Sequence, residues 1–70
     1  MPAPRFKIGQ QVIYHGKREA MVGRYVVLTV IPQRLGKFRY RIRSDEDEAI
    51  EFTVNERTLA PVPDGGTRAA

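Results

Sequence analysis

The residue types that most often carry catalysis are scarce in this sequence. It has no Cys, one His (His15) and one Ser (Ser44). A Ser-His-Asp arrangement would need His15 beside Ser44, and nothing in their spacing predicts this. One His without any Cys also falls short of the ligand set of a zinc site. We therefore expect no catalytic residue, no metal site, no cofactor and no enzyme activity, and no small-molecule substrate is indicated.

A run of four acidic residues, Asp45 to Glu48, is the next candidate for chemistry. It lacks the glycine at the sixth position and the flanking helices that a calcium-binding EF-hand loop needs. A glycine-rich phosphate-binding loop is also absent, because no glycines have the G-x-G-x-x-G spacing. The run follows Ser44 and lies between two strand-like segments, so it is typical of a solvated hairpin turn.

Basic and apolar residues alternate strictly in the segment before that turn. The basic residues are Lys37, Arg39, Arg41 and Arg43, and the apolar ones are Phe38, Tyr40 and Ile42. A period of two predicts a half-buried strand whose successive same-face side chains are about 6.6–7 Å apart. A row of cations at this spacing can attract nucleic-acid phosphates, and arginine binds phosphate in bidentate fashion. We predict nucleic-acid contact through Lys37, Arg39, Arg41 and Arg43, with Arg24 on a neighbouring segment.

The same row of cations has a simpler interpretation as a solvated face. Residues 1–44 carry a net charge of +9 and residues 45–70 a net charge of −5, which together give the net +4 of the chain. Glu51 would fall near Arg41 or Arg43 if Ile42 pairs with Ile50 or Phe52, and such cross-strand pairs stabilise sheets modestly. Charge on a strand also prevents edge-to-edge aggregation. Sequence alone leaves both interpretations open.

The remaining elements are also short strands, which predicts an all-β fold. The chain has 70 residues, 41% of them hydrophobic, enough for one small domain. We expect five strands, at 12–14, 20–31, 37–43, 49–55 and 59–62, with a single 3-10 turn before the last. Strands this short in so small a chain favour a closed barrel over residues 5–63. Residues 1–4 and 64–70 are expected to be disordered tails.

Two apolar features admit a binding role as well as a packing role. On the long second strand, Val26, Leu28 and Val30 either are buried or form an exposed strip for a protein partner or a second copy of the chain. Phe38, Tyr40 and Phe52 share the parity of Ile42, Ile50 and Val54, which places them in the predicted core. For Tyr14 and Tyr25, an aromatic cage for a cation stays open.

Motifs along the chain resemble a family of short, uncharacterised bacterial proteins with a small SH3-like barrel. The chain opens with the similar Phe6–Val12 segment, continues with a strand from Gly23 through Tyr25 to Pro32, and closes with the E-x-x-L of Glu56 to Leu59. The resemblance implies the five-stranded SH3-like barrel but no particular activity, since fold alone does not determine function. No signal peptide or membrane span is visible, so we expect a cytoplasmic protein without a membrane partner.

Overall fold

Five antiparallel strands form a single sheet in the computed structural model, which describes residues 3–63. The strands are β1 (Gln11–Tyr14), β2 (Gly23–Pro32), β3 (Phe38–Ser44), β4 (Glu51–Asn55) and β5 (Leu59–Pro61). Their order in the sheet is β4-β3-β2-β1-β5. The all-β prediction is confirmed. The predicted tail at 64–70 and the first two residues of the predicted tail at 1–4 lie outside the described residues.

Short 3-10 turns connect several of the strands. They span Glu19–Met21, Arg34–Gly36 and Glu56–Thr58. The single 3-10 turn predicted before the last strand is confirmed at Glu56–Thr58, and the other two turns were not predicted. Residues 20 and 21, assigned to the second strand from their β propensity, belong to the first of these turns, and β2 starts only at Gly23. Local propensity is a weak guide where the chain must change direction between paired strands.

The alternation predicted for the middle of the chain is observed. Tyr40, Ile42 and Val54 are buried in one core, which also receives side chains from the other strands. The buried members are Phe6, Val12, Tyr14, Tyr25, Val27, Tyr40, Ile42, Val54 and Leu59. Ile42 pairs with Phe52, and Arg43 consequently lies opposite Glu51. The opposite, outer face of β3 therefore carries the arginines, as the period of two predicts.

The sheet is not closed within the described residues, so the predicted barrel is not confirmed. β4 pairs only with β3, and β5 pairs only with β1. β5 has three residues and ends at Pro61, which has no amide hydrogen to donate to a further strand. Side chains pack across the core instead: the rings of Phe52 on β4 and Tyr14 on β1 are 5.3 Å apart and perpendicular.

A bulge in β2 changes which of its residues face the core. The β2–β3 register shifts between Val27 and Thr29, so that Leu28 is an extra residue on β2. Val27 is buried before the shift, and Val30 packs against the core after it. The side-chain alternation is therefore out of phase on the two sides of the bulge. A strict period of two, on which the expected strip of Val26, Leu28 and Val30 depended, does not hold here.

Candidate functional site

The arginines of β3 lie in three successive rows across the outer face of the sheet. Each row contains one residue of β2, one arginine and one residue of β4. The rows are Val26–Arg43–Glu51, Thr29–Arg41–Thr53 and Ile31–Arg39–Asn55. The three arginines lie on one face, but their cross-strand neighbours on β4 differ. Arg43 lies opposite a carboxylate, Arg41 opposite a hydroxyl and Arg39 opposite an amide.

At the end of β3 that leads into the acidic run, the positive charge is neutralised. The Arg41 Nε donates to the Glu51 Oε1 at 3.1 Å, and Arg43 lies directly opposite Glu51 in the register. The side chains of Arg41 and Glu51 are 50% and 35% exposed, so this ion pair contributes at most about 1 kcal/mol to stability. The Glu51 carboxylate offsets one of the two positive charges of Arg41 and Arg43.

Arg24 also lies at this acidic end. Its backbone carbonyl accepts a hydrogen bond from the Asp45 amide at 3.1 Å. The side chain of Asp45 accepts a bond from the Gln11 Nε2 at 3.3 Å. Arg24 and Pro32 lie near the two ends of β2, about 26 Å apart at the usual rise per residue. The fold therefore does not join Arg24 to Lys37, which follows the turn after Pro32.

The opposite end of β3 borders a groove with a volume of about 380 Å³. The groove lies between the β2–β3 turn, the start of β3 and the 3-10 turn after β4. Its lining residues are Gln33, Gly36, Lys37, Phe38, Arg39, Asn55, Glu56 and Arg57. Three of them are cations and one is a carboxylate, so the lining has a net charge of +2. Of the five predicted basic contacts, only Lys37 and Arg39 reach this groove.

Arg39 has a polar atom without a partner in this groove. Its Nε is buried and forms no hydrogen bond with any of the described residues. A buried donor left unsatisfied costs about 1–3 kcal/mol, and more when the group is charged. The cross-strand neighbours Ile31 and Asn55 do not supply the missing acceptor. Because this Nε is buried, an anionic ligand would have to meet the terminal nitrogens of Arg39, and no carboxylate of the described residues forms an ion pair with that guanidinium.

Arg57 is a groove residue that the sequence analysis did not select. It lies in the 3-10 turn Glu56–Thr58, 18 residues beyond Arg39 in the chain. The turn is anchored to Asn55, whose carbonyl accepts the Thr58 hydroxyl at 2.7 Å. The predicted 3-10 turn was the available signal, but only the β3–β4 pairing shows that the turn lies beside Arg39.

The carboxylate of Glu56 has a structural role at the rim of the groove. Its Oε2 accepts the Tyr40 hydroxyl at 2.5 Å and the Arg5 amide at 3.0 Å. Tyr40 is fully buried, and burial together with the hydrogen bond to Glu56 raises the pKa of Tyr40 to about 12. This network attaches both the 3-10 turn and the N-terminal segment to β3, and it thereby fixes the position of Arg57.

The aromatic residues do not form an open cage. Tyr14, Tyr25 and Phe52 contact one another edge to face, with ring centroids 5.3–6.2 Å apart. Both tyrosines are buried, and the Tyr25 hydroxyl donates to the Met21 carbonyl at 2.6 Å. Burial, with a smaller contribution from Tyr14, raises the pKa of Tyr25. The three rings fill the space between them, so this part of the core is packed rather than ready for a cation.

The apolar residues of β2 do not form one exposed face either. Val26, Leu28 and Val30 are each half-buried. Because of the bulge, Val30 lies on the core side, whereas Val26 lies on the outer face opposite Arg43. The geometric basis for the predicted protein-binding strip, a single continuous face, is therefore not observed.

Among residues 3–63, no helix is long and apolar enough to cross a membrane. Within the same range, no group of three or more His, Cys, Asp and Glu side chains is arranged as metal ligands would be. Comparison of the chain with protein-family models, with curated proteins and with solved structures finds no match. The resemblance to the SH3-like barrel family therefore stays a prediction.

Proposed function

We propose that this protein is a non-catalytic, cytoplasmic binding module that contacts nucleic-acid phosphates through the groove end of its basic face. The observation that carries the proposal is that Lys37, Arg39 and Arg57 line one groove, and that no carboxylate of the described residues forms an ion pair with Arg39. Arginine offers a planar fork of donors that suits phosphate oxygens. Two further cations nearby supply the field that draws a polyanion to the site.

Phosphate is a better fit to these residues than a carboxylate-bearing protein partner. Binding to a polyanion is driven by release of its condensed counterions, and it needs few exact contacts. Three cations around one small groove match that requirement. Lys37 directly precedes β3, which carries Arg39, and Arg57 lines the groove from the 3-10 turn Glu56–Thr58. A phosphate between them would be contacted from two elements of the fold.

The contribution of the other predicted residues follows from their neighbours. Arg41 already donates to Glu51, and Arg43 lies opposite the same residue in the strand register. Recruiting Arg41 would require breaking that ion pair, and a phosphate at Arg43 would stand near the Glu51 carboxylate. We therefore assign Arg24, Arg41 and Arg43 a weaker, long-range contribution.

The experiment is a titration of a short, labelled single-stranded oligonucleotide, followed by fluorescence anisotropy at several salt concentrations. Affinity should fall steeply between about 50 and 200 mM salt, because each displaced counterion adds to the slope. The double variant K37A/R39A should lose most of this affinity. The double variant R41A/R43A removes the same charge from the same strand and is the matched control.

Two results would overturn the proposal. One is wild-type binding that is absent or insensitive to salt. The other is an equal loss of affinity in both double variants, which would mean that net charge alone matters. Absence of binding together with a mass that rises with protein concentration would favour the alternative, a protein-interaction module.

A further inference from the structure

We infer that the groove accepts a single nucleotide unit, with its phosphate on the cations and its base against the ring of Phe38, so that the protein selects single strands over duplexes. This inference rests on the proposed function and adds the class of nucleic acid. It depends on three features of the groove, which are its size, its one aromatic wall and its position at the end of the sheet.

The size of the groove suits one small unit rather than a length of duplex. Its volume of about 380 Å³ is at the lower end of the range of roughly 300–1,000 Å³ for small-molecule sites. A duplex presents its phosphates on a wide convex surface and keeps its bases inside the stack. A single strand can turn one base out of the stack at a cost of only a few kcal/mol.

Phe38 gives the groove an apolar wall that phosphate binding alone would not require. It is half-buried and packs against the core, and it also lines the groove beside Lys37 and Arg39. Because packing on the core restricts its side chain, little rotamer entropy would be lost on contact with a base. Aromatic side chains in single-strand binding proteins act in this way, and the contact tolerates any base because every base has a π face.

The polar residues around Phe38 complete the arrangement. Asn55 lies opposite Arg39 in the strand register, and Gln33 lines the groove from the turn before β3, where its Nε2 donates to the Pro32 carbonyl at 3.2 Å. Amide side chains can donate to and accept from the edges of a base. The groove therefore offers cations for a phosphate, a ring for a base face and amides for a base edge within one small volume.

The test compares three probes on the wild-type protein: a single-stranded oligonucleotide, a strand of equal length and charge with abasic sites, and a duplex. We expect the base-bearing single strand to bind about tenfold more tightly than the abasic strand, the size of one stacking contact. The duplex should bind no more tightly than the abasic strand at equal phosphate concentration. Equal affinity for base-bearing and abasic strands would overturn the inference and leave the proposed function standing, whereas binding of none of the probes would remove both.

The F38L variant tests whether Phe38 is the residue that contacts the base. It should bring the affinity for the base-bearing strand to the abasic level and leave abasic binding unchanged. F52L is the matched control, because Phe52 is also half-buried against the core but does not line the groove. Selectivity that survives in F38L, or that is lost equally in F52L, would contradict the assignment.

A measurement without any variant covers the case in which F38L does not fold. Chemical shifts of the wild-type Phe38 ring protons are followed while a nucleoside monophosphate or ribose 5-phosphate is added. We expect upfield ring-current shifts with the nucleotide and none with the sugar phosphate. Identical responses to the two compounds would mean that the base does not reach Phe38.

Discussion

The two ends of β3 carry the same type of side chain but differ in what stands beside it. At the loop end, Arg41 forms an ion pair with Glu51, Arg43 lies opposite Glu51 in the register, and the acidic run Asp45–Glu48 follows. At the groove end, Arg39 lies opposite Asn55, and its Nε has no partner among the described residues. The difference shows that a row of identical cations is divided by its cross-strand neighbours, and that the neutral neighbour leaves a guanidinium available.

The stability of the two ends also has different sources. At the loop end, the Ser44 Oγ accepts the amides of Glu46 and Asp47 at 3.1 and 3.2 Å, which holds the acidic turn by local bonds. At the groove end, the Tyr40–Glu56–Arg5 network joins segments that are far apart in the chain. The loop end therefore adds local bonds to the tertiary contacts that Asp45 makes with Arg24 and Gln11, whereas the Tyr40–Glu56–Arg5 network of the groove end consists of tertiary contacts.

The largest expected effect comes from making the groove end resemble the loop end. Asn55→Glu would place a carboxylate opposite Arg39, as Glu51 lies opposite Arg43. We expect a loss of oligonucleotide affinity of more than about tenfold, because a like charge close to a phosphate costs on the order of a few kcal/mol near a protein surface. Anisotropy titration measures it, and Asn55→Gln is the neutral control. Unchanged affinity in Asn55→Glu would show that Arg39 does not bind phosphate.

A second prediction concerns the network that holds the groove end together. The unfolded chain has a tyrosine pKa near 10, whereas that of Tyr40 is about 12 in the folded protein. Between these values the unfolded state loses a proton that the folded state retains, so the contribution of Tyr40 to stability is constant below about pH 10 and falls as the pH rises toward 12. Urea unfolding at a series of pH values measures this loss.

The Tyr40→Phe variant tests whether Tyr40 causes this alkaline loss of stability. It should cost about 1–3 kcal/mol at neutral pH, because the Glu56 carboxylate and the Arg5 amide lose a buried hydrogen-bond partner. It should also flatten the alkaline decline, leaving only the part due to Tyr25, whose pKa is raised as well. An alkaline decline of equal size in the variant would assign the effect to another group.

The third prediction makes the loop end resemble the groove end. Glu51→Gln removes the carboxylate from Arg41 and Arg43 and should raise oligonucleotide affinity a few-fold. Folding stability should change by less than about 1 kcal/mol, since the ion pair is exposed. The affinity gain should disappear when R41A/R43A is added to the same variant. If the gain in affinity persists in the combined variant, Arg41 and Arg43 do not account for it.

The smallest expected effect is in the turn beside the groove. Leu35 has a φ of +62° and a side chain that is 91% exposed. Leu35→Gly should raise the free energy of unfolding by up to about 1 kcal/mol, because glycine adopts this left-handed conformation without the steric cost of a Cβ. Leu35→Ala, which retains the Cβ, is the control in thermal unfolding. Stabilisation by both variants would rule out backbone strain as the cause.

Much of the strand pattern could be predicted because it depends on local alternation. The period of two from Lys37 to Arg43 placed Tyr40 and Ile42 in the core and the arginines outside, and the acidic turn set the hairpin. The bulge at Leu28 could not be predicted, since the apolar residues of β2 fit either face. Leu35 also gave no signal, because the left-handed conformation is uncommon for a residue with a bulky side chain.

The sequence by itself determined the all-β class, the parity of β3 and β4 and the presence of a basic face, because these depend on residues adjacent in the chain. Only the tertiary structure decided that the sheet formed by residues 3–63 is open, that Glu51 pairs with Arg41 at one end of the face and that Arg57 joins Arg39 and Phe38 around one groove. The physical reason is that cross-strand register and the docking of the 3-10 turn depend on packing between segments far apart in the chain, which no local pattern specifies.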